Sequence, residues 1–220
     1  MYIVKPIIYT ALYIVFIELI GVWLFIADYF EADFLIYDYY VIINGLLMAI
    51  SLIGFTFLVN DGRLKIPQST DVKWYIIAIF AGLLYVFIQT PLNWVYNFIS
   101  GDNFHILFDF NGWENLKNIN VISTILLIPI AEELFFREFI QKKLQSQTTS
   151  FVAIGITSLL FAALHLPYME WFSSYSTASI HQAYIVLFVS LVLGYLYFKS
   201  KSIGPSIVMH ILLNFMVVIV

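Results

Sequence analysis

A chain of 220 residues that is 62% hydrophobic and only 11% charged departs from an ordinary soluble domain, in which about a quarter of the residues carry charge. The formal charge of −4 comes with no basic tract, which argues against nucleic acid as a partner. With no cysteine in the chain, disulfides, thiolate metal sites and a cysteine nucleophile are excluded.

The apolar residues fall into seven long runs: roughly Ile7–Ala27, Tyr40–Val59, Tyr75–Ile99, Asn118–Ile140, Phe151–Leu166, Ser179–Phe198 and Gly204–Val220. A run of about 20 apolar residues crosses a bilayer as a helix, and backbone amides in lipid must bond within their own segment. The expected fold is therefore all-α: a polytopic transmembrane helical bundle of seven spans, forming one integral membrane domain over residues 1–220. The first run is too long for the apolar core of a signal peptide and is followed by no small-residue cleavage site, so it reads as a span. Its Glu18 has no motif around it and reads as a structural hydrogen-bonding group. The third and fourth runs contain Pro91 and Pro129, each expected to break or kink its helix. Between them the longest loop, around Ser100–Lys117, mixes aromatic residues with acids. It is expected either in the outer membrane interface or packed on the bundle.

Orientation follows from lysine and arginine. With a cytoplasmic N-terminus, the inside set is Lys5, Arg63, Lys65, Lys73, Arg137, Lys142, Lys143, Lys199 and Lys201, nine of the ten basic residues. Only Lys117 falls outside, where the loops carry Asp28, Glu31, Asp33, Asp102, Asp109, Glu114 and Glu170.

An ionisable residue inside a span costs about 2.5–3.5 kcal/mol on insertion scales, so such residues normally face the bundle interior and serve a function. The fourth run has Glu132 and Glu133, the fifth His165, and the seventh His210 and Asn214. Glu133 and Arg137 are four apart and share a helical face, so they can pair. Glu132 lies about 100° round the same helix and points elsewhere, toward a cavity. Phe161 with His165, and His210 with Asn214, repeat the four-residue spacing. Counting from the polar hairpin near Thr148, Glu132 and His165 come to nearly equal height, with His210 rising from the same face. All three are expected to meet in the inner half of the bilayer. The first three spans and the sixth are expected to form walls.

The ordered set Glu132-Glu133-x-x-x-Arg137, Phe161-x-x-x-His165 and His210-x-x-x-Asn214, with the connecting segment Leu193–Ile207, resembles the CPBP family. These are the CAAX proteases and bacteriocin-processing (Abi) proteins, intramembrane glutamic or metallo-endopeptidases. The resemblance covers a catalytic core at 118–214. It implies hydrolysis of a peptide bond in a membrane-associated protein or peptide, of CAAX type or a bacteriocin or pheromone precursor. By the match, Glu132 is the base that activates water and His165 holds or polarises that water. His210 and Asn214 stabilise the oxyanion, while Glu133, Arg137 and Phe161 support the site. Donors fixed in a low-dielectric site are effective in such a role. The carboxylate and the two histidines also suit an open divalent metal site such as zinc, with Glu132, His165 and His210 as candidates. The same residues serve equally without metal, and no His-Glu-x-x-His motif is present. The implied setting is a multi-pass protein of the cell membrane, read as a bacterial plasma membrane. The competing reading is a non-catalytic immunity or scaffold protein of the same fold. A proton-coupled carrier ranks below both, because no internal repeat is evident. Taken singly, each of these polar residues could simply bridge helices.

Overall fold

A helix lies in each of the seven apolar runs, and no strand occurs among the described residues. The computed structural model describes residues 4–29, 40–60, 69–106, 108, 110–117, 121, 123–168 and 180–220, without the side chains of 17–29, 40–45, 47, 48, 58, 59 and 123. Glu18 and Asp28 as side chains, and Arg63, Lys65, Glu31, Asp33, Asp109 and Glu170 of the charge argument, lie outside this description.

The helices are α1 (Val4–Tyr29), α2 (Tyr40–Val59) and α3 (Val72–Ser100), then α4 over 123–145, α5 (Ser150–Leu164), α6 (His181–Ser200) and α7 (Ile203–Ile219). By length and composition, α3 and α6 are each long and apolar enough to cross a membrane, while α5 and α7 are apolar and shorter. Asp71 caps α3 by accepting from the Lys73 backbone N–H at 3.0 Å, a charge-assisted bond at an N-terminus. That bond holds the exposed Asp71 carboxyl below its ordinary value. Left-handed Lys201 ends α6, and Ser202 caps α7. Pro205 follows in the first turn of α7, where its missing N–H costs nothing.

The expected break at Pro91 does not occur: α3 runs through it without interruption. One lost backbone bond is a small defect in a 29-residue helix that is pinned on both sides. The Tyr85 hydroxyl donates to the Ile185 carbonyl and the Tyr184 hydroxyl to that of Leu92, both at 3.2 Å. At Pro129 the chain does adapt. A π-helical segment, Ser123–Leu127, precedes an α-helical one, Ile128–Glu133, and Pro129 falls in the first turn of the latter. A second π segment, Leu134–Gln141, leads into Lys142–Gln145. Helical structure thus continues past Ile140, and the polar hairpin narrows to 146–149. π-Helical turns widen the backbone and recur at functional sites.

The loop after α3 packs on the bundle. Phe104 stacks on His181 with ring centroids 4.0 Å apart, and Phe108 stacks on Phe87 at 5.2 Å.

α4 divides the fold. One face is aromatic: Phe135 lies 5.7 Å from Tyr13 of α1 and 5.8 Å from Phe55 of α2. Phe136 meets Phe161 of α5 edge-on at 4.8 Å. The opposite face is polar and meets α6 and α7. A separate apolar cluster joins α3, α6 and α7 through Tyr85, Leu193, Met209 and Leu213. There Gly82 permits close contact: a Cβ at that position would stand 2.8 Å from both the Met209 carbonyl oxygen and the Leu212 Cβ. Small residues at helix crossings serve this purpose. Gly82→Val is therefore expected to cost about 1–3 kcal/mol through overpacking. The readout is the melting temperature of the detergent-purified protein, and an unchanged value would mean that Gly82 does not set the α3–α7 distance.

Candidate active site

Polar residues on α4 follow the four-residue spacing 133, 137, 141, and all three are completely buried. Glu133 Oε2 accepts from Arg137 Nε at 3.1 Å, as their spacing predicts. Arg137 Nη2 donates to Ser190 Oγ at 3.0 Å, and Gln141 Nε2 donates to the Gly194 carbonyl at 2.8 Å. The Arg137 guanidinium also lies 5.4 Å from the Phe161 ring centre, within cation–π range. Each step of this ladder makes at least one bond to a buried polar group, while Arg137 Nη1 and Gln141 Oε1 have no hydrogen-bond partner among the described residues. The sixth helix is therefore more than a wall, because Ser190 and Gly194 hold the α4 polar face. Their own four-residue spacing was the available signal.

His210 reaches across from α7. Its Nδ1 is 3.2 Å from Glu133 Oε1 and its Nε2 is 3.7 Å from Glu132 Oε2. Because a carboxylate only accepts, the Nδ1 contact places a proton on that nitrogen. Glu133 thus sits between Arg137 and His210, and it orients the imidazole.

His165 follows the last residue of α5, at its C-cap. Its Nδ1 donates to the Phe161 carbonyl at 3.0 Å. In the neutral ring this leaves Nε2 as an acceptor. The Phe161 ring lies between the two histidines, with centroids 5.0 Å from His165 and 5.9 Å from His210.

Asn214 lies one turn beyond His210. Its Nδ2 donates to the Thr124 carbonyl at 3.1 Å, in the π segment before Pro129. The expectation that His210 and Asn214 aim at one neighbour holds for the helix and not for the atoms: both face α4, at different levels. A primary amide has two N–H donors, so one of the two remains for a ligand.

Glu132, His165, His210 and Asn214 all line one cavity of about 440 Å³. That volume lies in the range of small-molecule and cofactor sites. Phe161 lines it too, whereas Glu133 and Arg137 stand behind it. Glu132 is 8% exposed, while its neighbour Glu133 is sealed. The cavity also takes in Gln89 of α3 and His181 and Gln182 of α6. His181 is thus part of this wall, with Nε2 donating to Asn93 Oδ1 at 2.8 Å. No motif spacing links Gln89, His181 or Gln182 to the other residues, so only the packing finds them.

A metal site fits this arrangement poorly. Among the described residues no three of His, Asp, Glu or Cys stand together as metal ligands. His210 directs one ring nitrogen to Glu133 and the other toward Glu132.

Residues 114–216 match the family model described as type II CAAX prenyl endopeptidase Rce1-like. No curated protein and no solved structure gives a significant match. All five cavity residues of the sequence motifs, Glu132, Phe161, His165, His210 and Asn214, fall inside the matched segment.

Proposed function

We propose, from the membership of residues 114–216 in the Rce1-like family of type II CAAX prenyl endopeptidases, that this protein is an intramembrane endopeptidase working through a glutamate-activated water. The observation that carries the reading is the convergence of Glu132, His165, His210 and Asn214 on one cavity. The substrate is a membrane-associated protein or peptide of CAAX type or a related lipid-bound precursor. The setting is a seven-span bundle with a cytoplasmic N-terminus, a topology supported by the distribution of lysine and arginine.

In this mechanism Glu132 accepts a proton from water as the water oxygen attacks the scissile carbonyl. His165, fixed by the Phe161 carbonyl, offers Nε2 to the same water. The oxyanion receives the free N–H of Asn214 and, when Nε2 carries a proton, an N–H of His210. Donors already in place need little reorganisation as the charge develops. Glu132 then returns its proton to the leaving amine as the C–N bond breaks. Glu133 acts through His210, which it orients, and Arg137 compensates its charge.

The test is cleavage of a fluorescence-quenched farnesylated CAAX peptide by protein reconstituted in liposomes, with products identified by mass. Glu132→Ala and His165→Ala are each expected to remove cleavage at unchanged protein level. Full activity in both variants would end the mechanism. In cells, full rescue of a deletion phenotype by Glu132→Ala would instead support the non-catalytic reading.

A further inference from the structure

Hydrolysis beneath a lipid surface needs water to reach the base while the substrate occupies its cavity. If the peptide fills the 440 Å³ cavity, it covers Glu132 from the side of His210 and Asn214. A second cavity, of about 140 Å³, lies against the same glutamate and is lined by Tyr13, Ala49, Leu52, Ile128, Ala131, Glu132, Leu164 and His165. Ile128, Glu132 and His165 line both cavities and so form the partition between them. The second space is too small for a peptide. It has roughly ten times the volume that one water requires.

We propose that this smaller cavity is the water chamber of the site, and that Tyr13 is a positioning residue holding the hydrolytic water for Glu132 from that side. The inference rests on the endopeptidase reading. A buried water needs two to four polar partners, and three residues with polar side chains line the chamber: Glu132, His165 and Tyr13. Every other lining side chain is apolar. Tyr13 is 3% exposed. Its ring is held by Phe135 at 5.7 Å and Phe55 at 6.3 Å. Its phenol lies within electrostatic reach of Glu132, and among the described residues no side chain or backbone group hydrogen-bonds to its hydroxyl. A phenol both donates and accepts. It can accept from one water and donate to a second, or donate to the attacking oxygen while Glu132 takes that oxygen's proton. After transfer the hydroxide oxygen bonds the carbonyl carbon, and a further water from the chamber refills the position. The first two helices, outside the segment matched by the family, thereby acquire a part in the chemistry.

The test compares wild-type protein, Tyr13→Phe, Ala49→Leu and Glu132→Gln in liposomes, using the farnesylated CAAX peptide as probe. Tyr13→Phe keeps the ring and its packing, and Ala49→Leu fills the chamber. Both are expected to lower kcat about tenfold with KM within twofold of wild type. The Kd for uncleaved peptide, measured in the Glu132→Gln background, is expected to stay unchanged by either. Wild-type kcat in Tyr13→Phe overturns the inference even if Ala49→Leu fails to fold. So does a loss confined to KM or to peptide binding. If the wild type cleaves and Glu132→Gln does not, the endopeptidase reading survives a negative result at Tyr13. A wild type without Glu132-dependent cleavage overturns both.

Discussion

Replacing Glu132 with glutamine is expected to lower peptide cleavage by about 10²–10⁴-fold while the protein melts at its wild-type temperature. The two outcomes separate because Glu132 contributes little to holding the fold. The His210 Nε2 beside it is 3.7 Å away, beyond a good hydrogen bond. The Glu132 side chain borders both cavities instead of bridging helices. Glutamine keeps the shape and the hydrogen-bonding capacity, and loses the ability to take a proton from water. Cleavage is read from the quenched peptide, and stability from a thermal melt in detergent. Retained cleavage would remove Glu132 from the base role. Lost cleavage with a lowered melting temperature would make it a structural residue.

Arg137→Ala is expected to give the opposite pattern, with loss of the folded protein itself. Arg137 and Glu133 are both fully buried and bonded to one another. Removing one partner leaves the other charge uncompensated, which costs about 3–5 kcal/mol. The substitution also removes the bond to Ser190 and the contact with Phe161. A double variant, Glu133→Gln with Arg137→Met, is expected to regain part of the stability, since a buried ion pair is often replaceable by neutral groups. It is expected to stay inactive, because His210 Nδ1 loses its carboxylate. Melting temperature and cleavage measured on the single and double variants decide this. An Arg137→Ala protein with wild-type stability would show that the buried pair does not hold α4 to its neighbours.

Adjacent glutamates thus occupy different settings, Glu133 sealed against Arg137 and Glu132 lining the cavity, and that division was legible in the sequence. Four-residue spacing put Glu133 with Arg137, and the 100° step of the helix turned Glu132 away. The same spacing, continued, would have reached Gln141, and in the sixth run it would have joined Ser190 to Gly194. Those partners become apparent only when α4 and α6 are laid together. Pro91 and Pro129 give the converse lesson. Both are mid-run prolines in sequence, yet α3 runs through Pro91 and α4 changes to π geometry before Pro129. Whether a proline interrupts a helix depends on what holds the turns on either side, and tertiary contacts supply that.

Helices, their order and the ionisable residues among them were determined by the sequence alone, because long apolar runs leave the backbone no alternative but to bond within itself. The tertiary structure alone decided that Glu132 and His165 stand in a wall between two cavities. It also decided that Tyr13 and His181 line those cavities. Such placements depend on how helices far apart in the chain cross and rotate, and no local periodicity encodes a crossing.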